Sequence, residues 1–377
     1  MTGAIFEHVP EYKNQHYVPK HLLRGWTDNE RISVYNIENQ QEYPPTSISN
    51  LCSEDYFYGG PDAEESMDGL ESIHAGIIND LRSTMSFNVL EDMEILHFCI
   101  FVLLQRNRTK QTKQETEELI DNLGKEYVEL LVESGEVDEE LPDGRDILEV
   151  LDDYKISHER PLALPMFHAL TGVDLIIDLE VAIIVDDTDV GFVVSDHPVV
   201  HDNRRFKNEI DRFLVGLQSR GLQIFVPISD RVHIMLYDPA SYFVEYSDKE
   251  KRRVITSSEK VVNGLNDLQM ISAFENIFYR ENGQEERFNN AQERLSGYIE
   301  EKKTIFQRLS PEEHDFDTKN EIIESGHRLT EYSPFLPFVK QRVETEFATE
   351  RRRNVSQQHK DYMNEILEDA RQRTENN

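Results

Sequence analysis

Gln223-Ile224-Phe225-Val226-Pro227-Ile228 and Val232-His233-Ile234-Met235-Leu236-Tyr237 decide the fold of this chain. Both runs are short, almost unbroken in apolar character and rich in β-branched and aromatic residues. That is the pattern of strands buried on both faces. Only Ser229-Asp230-Arg231 separates them, so they are read as an antiparallel pair. Upstream, Val181-Ala182-Ile183-Ile184-Val185 is a third such run. A turn at Asp186-Asp187-Thr188-Asp189 leads on to Gly191-Phe192-Val193-Val194, which predicts a second hairpin. Ile32-Ser33-Val34-Tyr35-Asn36-Ile37 alternates apolar and polar positions, as a half-buried strand does. Glu54-Asp55-Tyr56-Phe57-Tyr58-Gly59-Gly60 reads as a short aromatic strand closed by a turn.

Helical spacing surrounds these runs. Met67, Leu70, Ile73, Ile77, Ile78 and Leu81 recur at three and four residues, with Ser66 placed to cap them. A second helix is expected from about Glu91 through Leu104, reaching as far as Thr112. It is apolar on nearly all sides at first and turns basic at Gln105-Arg106-Asn107-Arg108-Thr109-Lys110. Others are predicted over Glu115–Val132, Ser258–Phe274 and Glu286–Phe306. The mixture gives an α+β fold: a mainly antiparallel mixed sheet covered by a helical layer. One such domain is expected over residues 10–310. Residues 338–377 are strongly charged and read as a polar helical extension or frayed tail, through which a protein partner could engage.

Charge narrows the function classes. The 377 residues carry 73 acidic and 40 basic side chains, a net charge of -33. Such a field repels nucleic-acid phosphates and anionic membranes, so extended nonspecific nucleic-acid binding is disfavoured. The bases lean toward arginine. Adaptation to high salt and a plain acidic cytoplasmic protein both account for that balance. Cys52 and Cys99 are the only cysteines and form no CxxC, which fits a reducing cytoplasm. The first residues lack a basic region followed by an apolar one, and the run Ile95–Leu104 is too short to span a bilayer. No phosphate-binding P-loop, GxGxxG, GxSxG or HExxH occurs.

Four separated polar blocks stand out instead: His16-Tyr17-Val18-Pro19 with Leu22-Leu23-Arg24, Gln105-Arg106-Asn107-Arg108-Thr109, Ser195-Asp196-His197-Pro198, and Pro227-Ile228-Ser229. In order and separation they resemble the domain-of-unknown-function 4238 family, with its HYVP, QxxRT, SDxP and PLS motifs. Val262-Asn263-Gly264-Leu265-Asn266 is a further, looser match. Lys20 and His197 depart from the family, which more often shows Gln and Asn there. The resemblance implies a microbial protein and supplies no reaction.

The residues themselves admit two readings. His16 can act as acid, base or metal ligand, its imidazole titrating near ~6.5 when free. It can equally lock a strand start through a backbone carbonyl. Asp196, at a strand end, can bind a divalent metal with His197, orient a histidine, or simply accept backbone N–H groups in a turn. Gln105 and Arg108 share a helix face, and with Arg24 they suggest an anion site. Pairing of Arg108 with Asp196 is the structural alternative. Asn266 could bind ligand or hold a loop. The first reading is a hydrolase of a phosphate-bearing substrate, a nucleic acid or nucleotide. In it His16 and Asp196 are catalytic, Arg24, Gln105, Arg108 and Asn266 bind substrate, and a cofactor is not specified by the sequence, a divalent metal on Asp196 and His197 being one candidate. The second is a binding or effector protein in which these residues form a structural polar network.

Overall fold

The computed structural model describes residues 14–59, 61–137, 141, 144–205, 216–300, 304–310, 322–327 and 331–342. Its centre is a five-stranded sheet ordered Arg253–Thr256, Glu180–Asp186, Val232–Tyr237, Gln223–Pro227, Val200–Asp202. The first pair is parallel and the others are antiparallel. The deciding runs form the expected hairpin, with Val226 opposite Ile234.

Their lack of alternation has a direct cause. Ala182, Ile184, Phe225 and Met235 face the helix Glu259–Ser272, packing on its Val261, Val262, Leu265 and Leu268. Val181, Ile183, Val185, Ile224 and Ile234 face the opposite way. There they meet Ile77, Ile78 and Leu81 of the helix Pro61–Thr84 and Phe98, Phe101 and Val102 of the helix Asp92–Asn107. A sheet covered on both faces has no position for a polar side chain to reach water.

A second, antiparallel sheet of four strands runs Gln41–Ser47, Arg31–Asn36, Asn276–Tyr279, Val194–Ser195. Tyr35, Ile277 and Tyr279 pack on Phe288 and Leu295 of the helix Glu285–Glu300. The architecture is therefore α+β, as the pattern of runs implied. No helix among the described residues is long and apolar enough to cross a membrane.

Six local expectations change. The helix expected to start at Ser66 begins at Pro61, and the one expected to reach Thr112 ends at Asn107, with a separate helix from Lys110 to Glu133. Residues 181–185 and 191–194 do not form a hairpin: the first run stays in the five-stranded sheet, and Val194–Ser195 crosses to the other. Asp186 causes the divergence. Its carboxylate accepts from the Thr188 and Gly191 amides at 2.7 and 2.9 Å, closing a wide loop instead of a tight turn. The aromatic strand shrinks to Ser53–Asp55, because Tyr56 takes φ 56° and sends Phe57 and Tyr58 into the core. The last long helix ends at Glu300, and Thr304–Leu309 is a strand paired with Ile322–His327. Val339–Gln341, placed by the sequence in the polar extension, pairs with Tyr242–Val244, and Phe338 and Val339 are buried. Residues 343–377 of that extension lie outside the described residues.

Gly25 allows the N-terminal block to dock. A Cβ there would stand 2.3 Å from the Ile228 carbonyl oxygen and 2.8 Å from Ser229 Cα, both backbone atoms. Neither can rotate away. Gly25→Ala is therefore expected to lower stability by about 1–3 kcal/mol or more, read as a drop in the denaturant midpoint. A wild-type midpoint in the variant would show that the approach is looser than described.

Candidate functional site

The N-terminal block enters as the strand Asn14–His16, antiparallel to Ser53–Asp55 with His16 opposite Ser53. Gln15 is buried, and its Oε1 accepts from the Tyr58 amide at 2.7 Å. Tyr58 in turn donates its hydroxyl to the His16 carbonyl at 2.7 Å. Pro19, held extended, precedes the helix Lys20–Leu23, and a short turn Arg24–Trp26 follows. Trp26 is fully buried and donates Nε1 to the Phe192 carbonyl at 2.7 Å.

The other blocks converge on this one. Gln105 reaches across with Nε2 to the Tyr17 carbonyl at 3.1 Å, and its Oε1 accepts from Arg108 Nε at 2.9 Å. Arg108, only 1% exposed, sends Nη1 to Glu71 at 2.7 Å. Thr109 caps the helix Lys110–Glu133, and its Oγ1 shares a 2.6 Å hydrogen bond with His197 Nδ1. Asp196 accepts from three successive backbone amides, Phe274 at 2.8 Å, Glu275 at 2.8 Å and Asn276 at 2.9 Å. The fourth block closes the ring: the Gly25 carbonyl accepts from the Asp230 amide at 3.3 Å and from Arg280, which also grips the Asp230 carboxylate.

The expected site residues therefore divide. Gln105 and Arg108 are together, as foreseen, while Thr109 and His197 join the second block to the third. Arg108 pairs with Gln105 and Glu71. Arg24 does not complete an anion site with them. It is half exposed and paired with Glu30 at 2.9 Å. His16 places Nε2 3.1 Å from the Ser49 carbonyl. Burial, and then Lys20, push its pKa below the ordinary value. Asn266 spends Oδ1 on the Val193 amide and Nδ2 on the Gly191 carbonyl, both at 2.9 Å. Among the described residues no three His, Cys, Asp or Glu side chains converge as a metal site.

Several partners escaped the sequence reading. Gln269 accepts from the amide and hydroxyl of Ser195 and donates to the Pro198 carbonyl at 3.0 Å, and Ser272 donates to the His197 carbonyl at 2.7 Å. Asn266, Gln269 and Ser272 recur every three residues along this largely buried helix. That stripe was the available signal. Glu71 gave none, being one acid among many on a charged helix face.

Above the network lies an open cleft of about 530 Å³, lined by Glu54, Lys110, Lys113, Gln114, Lys155 and Glu275 among others. Lys110 Nζ sits 2.9 Å from Glu54, 3.3 Å from Glu275 and 5.5 Å from the Tyr17 ring centroid. Burial opposes its charge, but the two carboxylates prevail and raise its pKa. Each wall is fixed by the network. Glu54 lies on the strand paired with Asn14–His16, Lys110 follows Thr109, and Glu275 is held through its amide by Asp196.

Fold and site together define an α+β protein assembled around a buried polar network. Residues 14–283 match the family described as Protein of unknown function (DUF4238), and the chain belongs to that family. No curated protein and no solved structure matches it.

Behind Arg108 the interior holds neutral histidines. His21 and His74 flank the Phe101 ring at 5.9 and 5.6 Å between centroids. Burial first, and then the Arg108 charge, press their pKa values to about 2 and about 3. His233, buried in the central sheet, is pressed to about 3 by burial. Unfolded histidine takes its proton near ~6.5. Between that value and the folded ones the unfolded chain binds more protons, so stability is full above pH ~6.5 and falls as pH falls. Each such histidine contributes a slope of about 1.4 kcal/mol per pH unit. Urea unfolding from pH 7 to 5, above the range where most carboxylates titrate, is expected to show this loss. His233→Phe should remove about one proton from the slope. A flat profile would mean these imidazoles find protons in the folded state.

Proposed function

We propose that this is a ligand-binding protein in which the family motifs are the scaffold and the charged cleft is the recognition site. One observation carries the reading. Asp196 devotes both carboxylate oxygens to the amides of residues 274–276, and that segment is a wall of the cleft. A carboxylate so engaged is poorly placed to take a proton from substrate, and its job is to hold Phe274 and Glu275 in position.

The lining suggests the ligand class. Lys110, Lys113 and Lys155 stand against Glu54, Glu117, Glu118 and Glu275. On a chain of net charge -33 this is a near-balanced surface. Lys110 bridges two carboxylates contributed by different segments. A small zwitterion, such as an amino acid or short peptide, can trade with both partners. Its ammonium takes the place of Lys110 between Glu54 and Glu275, and its carboxylate meets the released lysine.

Calorimetric titration with amino acids, dipeptides and nucleotides tests this. Zwitterions are expected to bind, and Lys110→Met should weaken them about tenfold with a nearly unchanged melting temperature. Asp196→Ala leaves buried amides without an acceptor, so it should cost roughly 3 kcal/mol of stability. The hydrolase reading is tested in parallel with divalent metals and DNA, RNA and nucleotides. Turnover that disappears in both His16→Ala and Asp196→Asn, with the variants still folded, would replace the binding reading by catalysis.

A further inference from the structure

A second cleft, of about 470 Å³, opens where the helical layer meets the edge of the five-stranded sheet. Its floor is apolar and buried: Phe87, Leu90, Cys99, Leu179, Val181 and Leu236. Ile177, Asp178, Glu180 and Arg252 form the rim. The volume lies in the range of small-molecule sites, and an apolar floor with few polar groups at the mouth is their usual composition.

Arg252 identifies the occupant. Its backbone is fixed by the Ile183 amide, which donates to the Arg252 carbonyl at 2.9 Å, and by a φ of 50°. Its guanidinium stands over the Phe87 ring at 5.9 Å. It makes no hydrogen bond or ion pair with a described side chain or carbonyl, although arginine carries several N–H donors. The rim acid Glu180 already accepts from the Tyr237 hydroxyl at 2.6 Å. Arg252 thus offers unused donor capacity at this mouth, where Asp178 and Glu180 also stand, beside a floor that favours hydrocarbon.

We propose that this cleft binds an amphiphile with an acyl-like apolar body and a carboxylate head, the body on Leu90, Cys99 and Leu236 and the head on Arg252. The site is distant in composition from the charged cleft and does not depend on what that cleft binds. The floor excludes a strongly hydrated ligand, because each buried polar group would lack a partner. A planar carboxylate matches the guanidinium fork with two parallel hydrogen bonds.

Titration of the full chain with decanoate, decanol and decyltrimethylammonium, each below its micellar concentration, provides the test. Decanoate is expected to bind best. Arg252→Met should weaken decanoate about tenfold and leave decanol unchanged. Ile177→Trp, at the rim, should reduce both by crowding the mouth while keeping the wild-type melting temperature. Tighter binding of the ammonium than of decanoate would show that Asp178 and Glu180 govern the rim and would overturn the proposal. Equal decanoate binding by wild type and Arg252→Met, or no binding of any of the three, would do the same.

Discussion

Asp196 is buried to 1% exposure, yet it is a carboxylate surrounded by donors of the main chain. A charge taken out of water survives only where hydrogen bonds replace its hydration. Three amides in succession supply them, and in return the carboxylate settles where residues 274–276 lie. Those residues lead into Asn276–Tyr279, which pairs with both Arg31–Asn36 and Val194–Ser195. One side chain therefore fixes the strand that joins the N-terminal half of the second sheet to its C-terminal half. Remove the carboxylate and the turn before that strand has donors with no acceptor.

The same device recurs across the motifs. Arg82, near the end of its helix, donates to the carbonyls of His21 at 2.8 Å, Leu22 at 2.7 Å and Ile228 at 2.5 Å. Burial lowers its pKa to about 10, which still leaves it charged at neutral pH. Gln105 holds the Tyr17 carbonyl, and Asn266 and Gln269 hold both edges of the segment 191–198. In each case a long side chain on a regular helix satisfies backbone carbonyls or amides of a short helix or irregular segment. Buried irregular backbone needs such partners, since it has no neighbouring strand or helical turn to supply them.

This division explains what the sequence disclosed. The buried sheet was legible because continuous apolar runs are costly anywhere else. The crossing of residues 191–195 into the other sheet was not, because it depends on Asp186 closing a loop with its own downstream amides. The polar blocks were legible as special residues, but their roles were not. A buried aspartate that caps amides and one that serves as a base look alike in a sequence. Arg108 was read either as an anion binder or as paired inside the fold, and its partner Glu71 was hidden among the acids of a helix dense in charge. Asn266 was seen with Asn263, whereas the effective stripe runs forward through Gln269 and Ser272.

A site that binds something must retain unused hydrogen-bonding or apolar capacity at its surface. The motif residues retain little: the Gln105 amide, the Asn266 amide and the Asp196 carboxylate each have their principal sites engaged by protein. Residues adjoining them are different. Lys110 is shared between Glu54 and Glu275, partly exposed carboxylates that a solute could compete for. On the binding reading we propose, the motifs stand one step behind the chemistry and fix the positions of side chains that face the solvent. On that proposal a change of ligand comes from replacing Glu54, Lys110 or Glu275 and leaves the motifs that hold them in place, because function lives in the site and not in the frame.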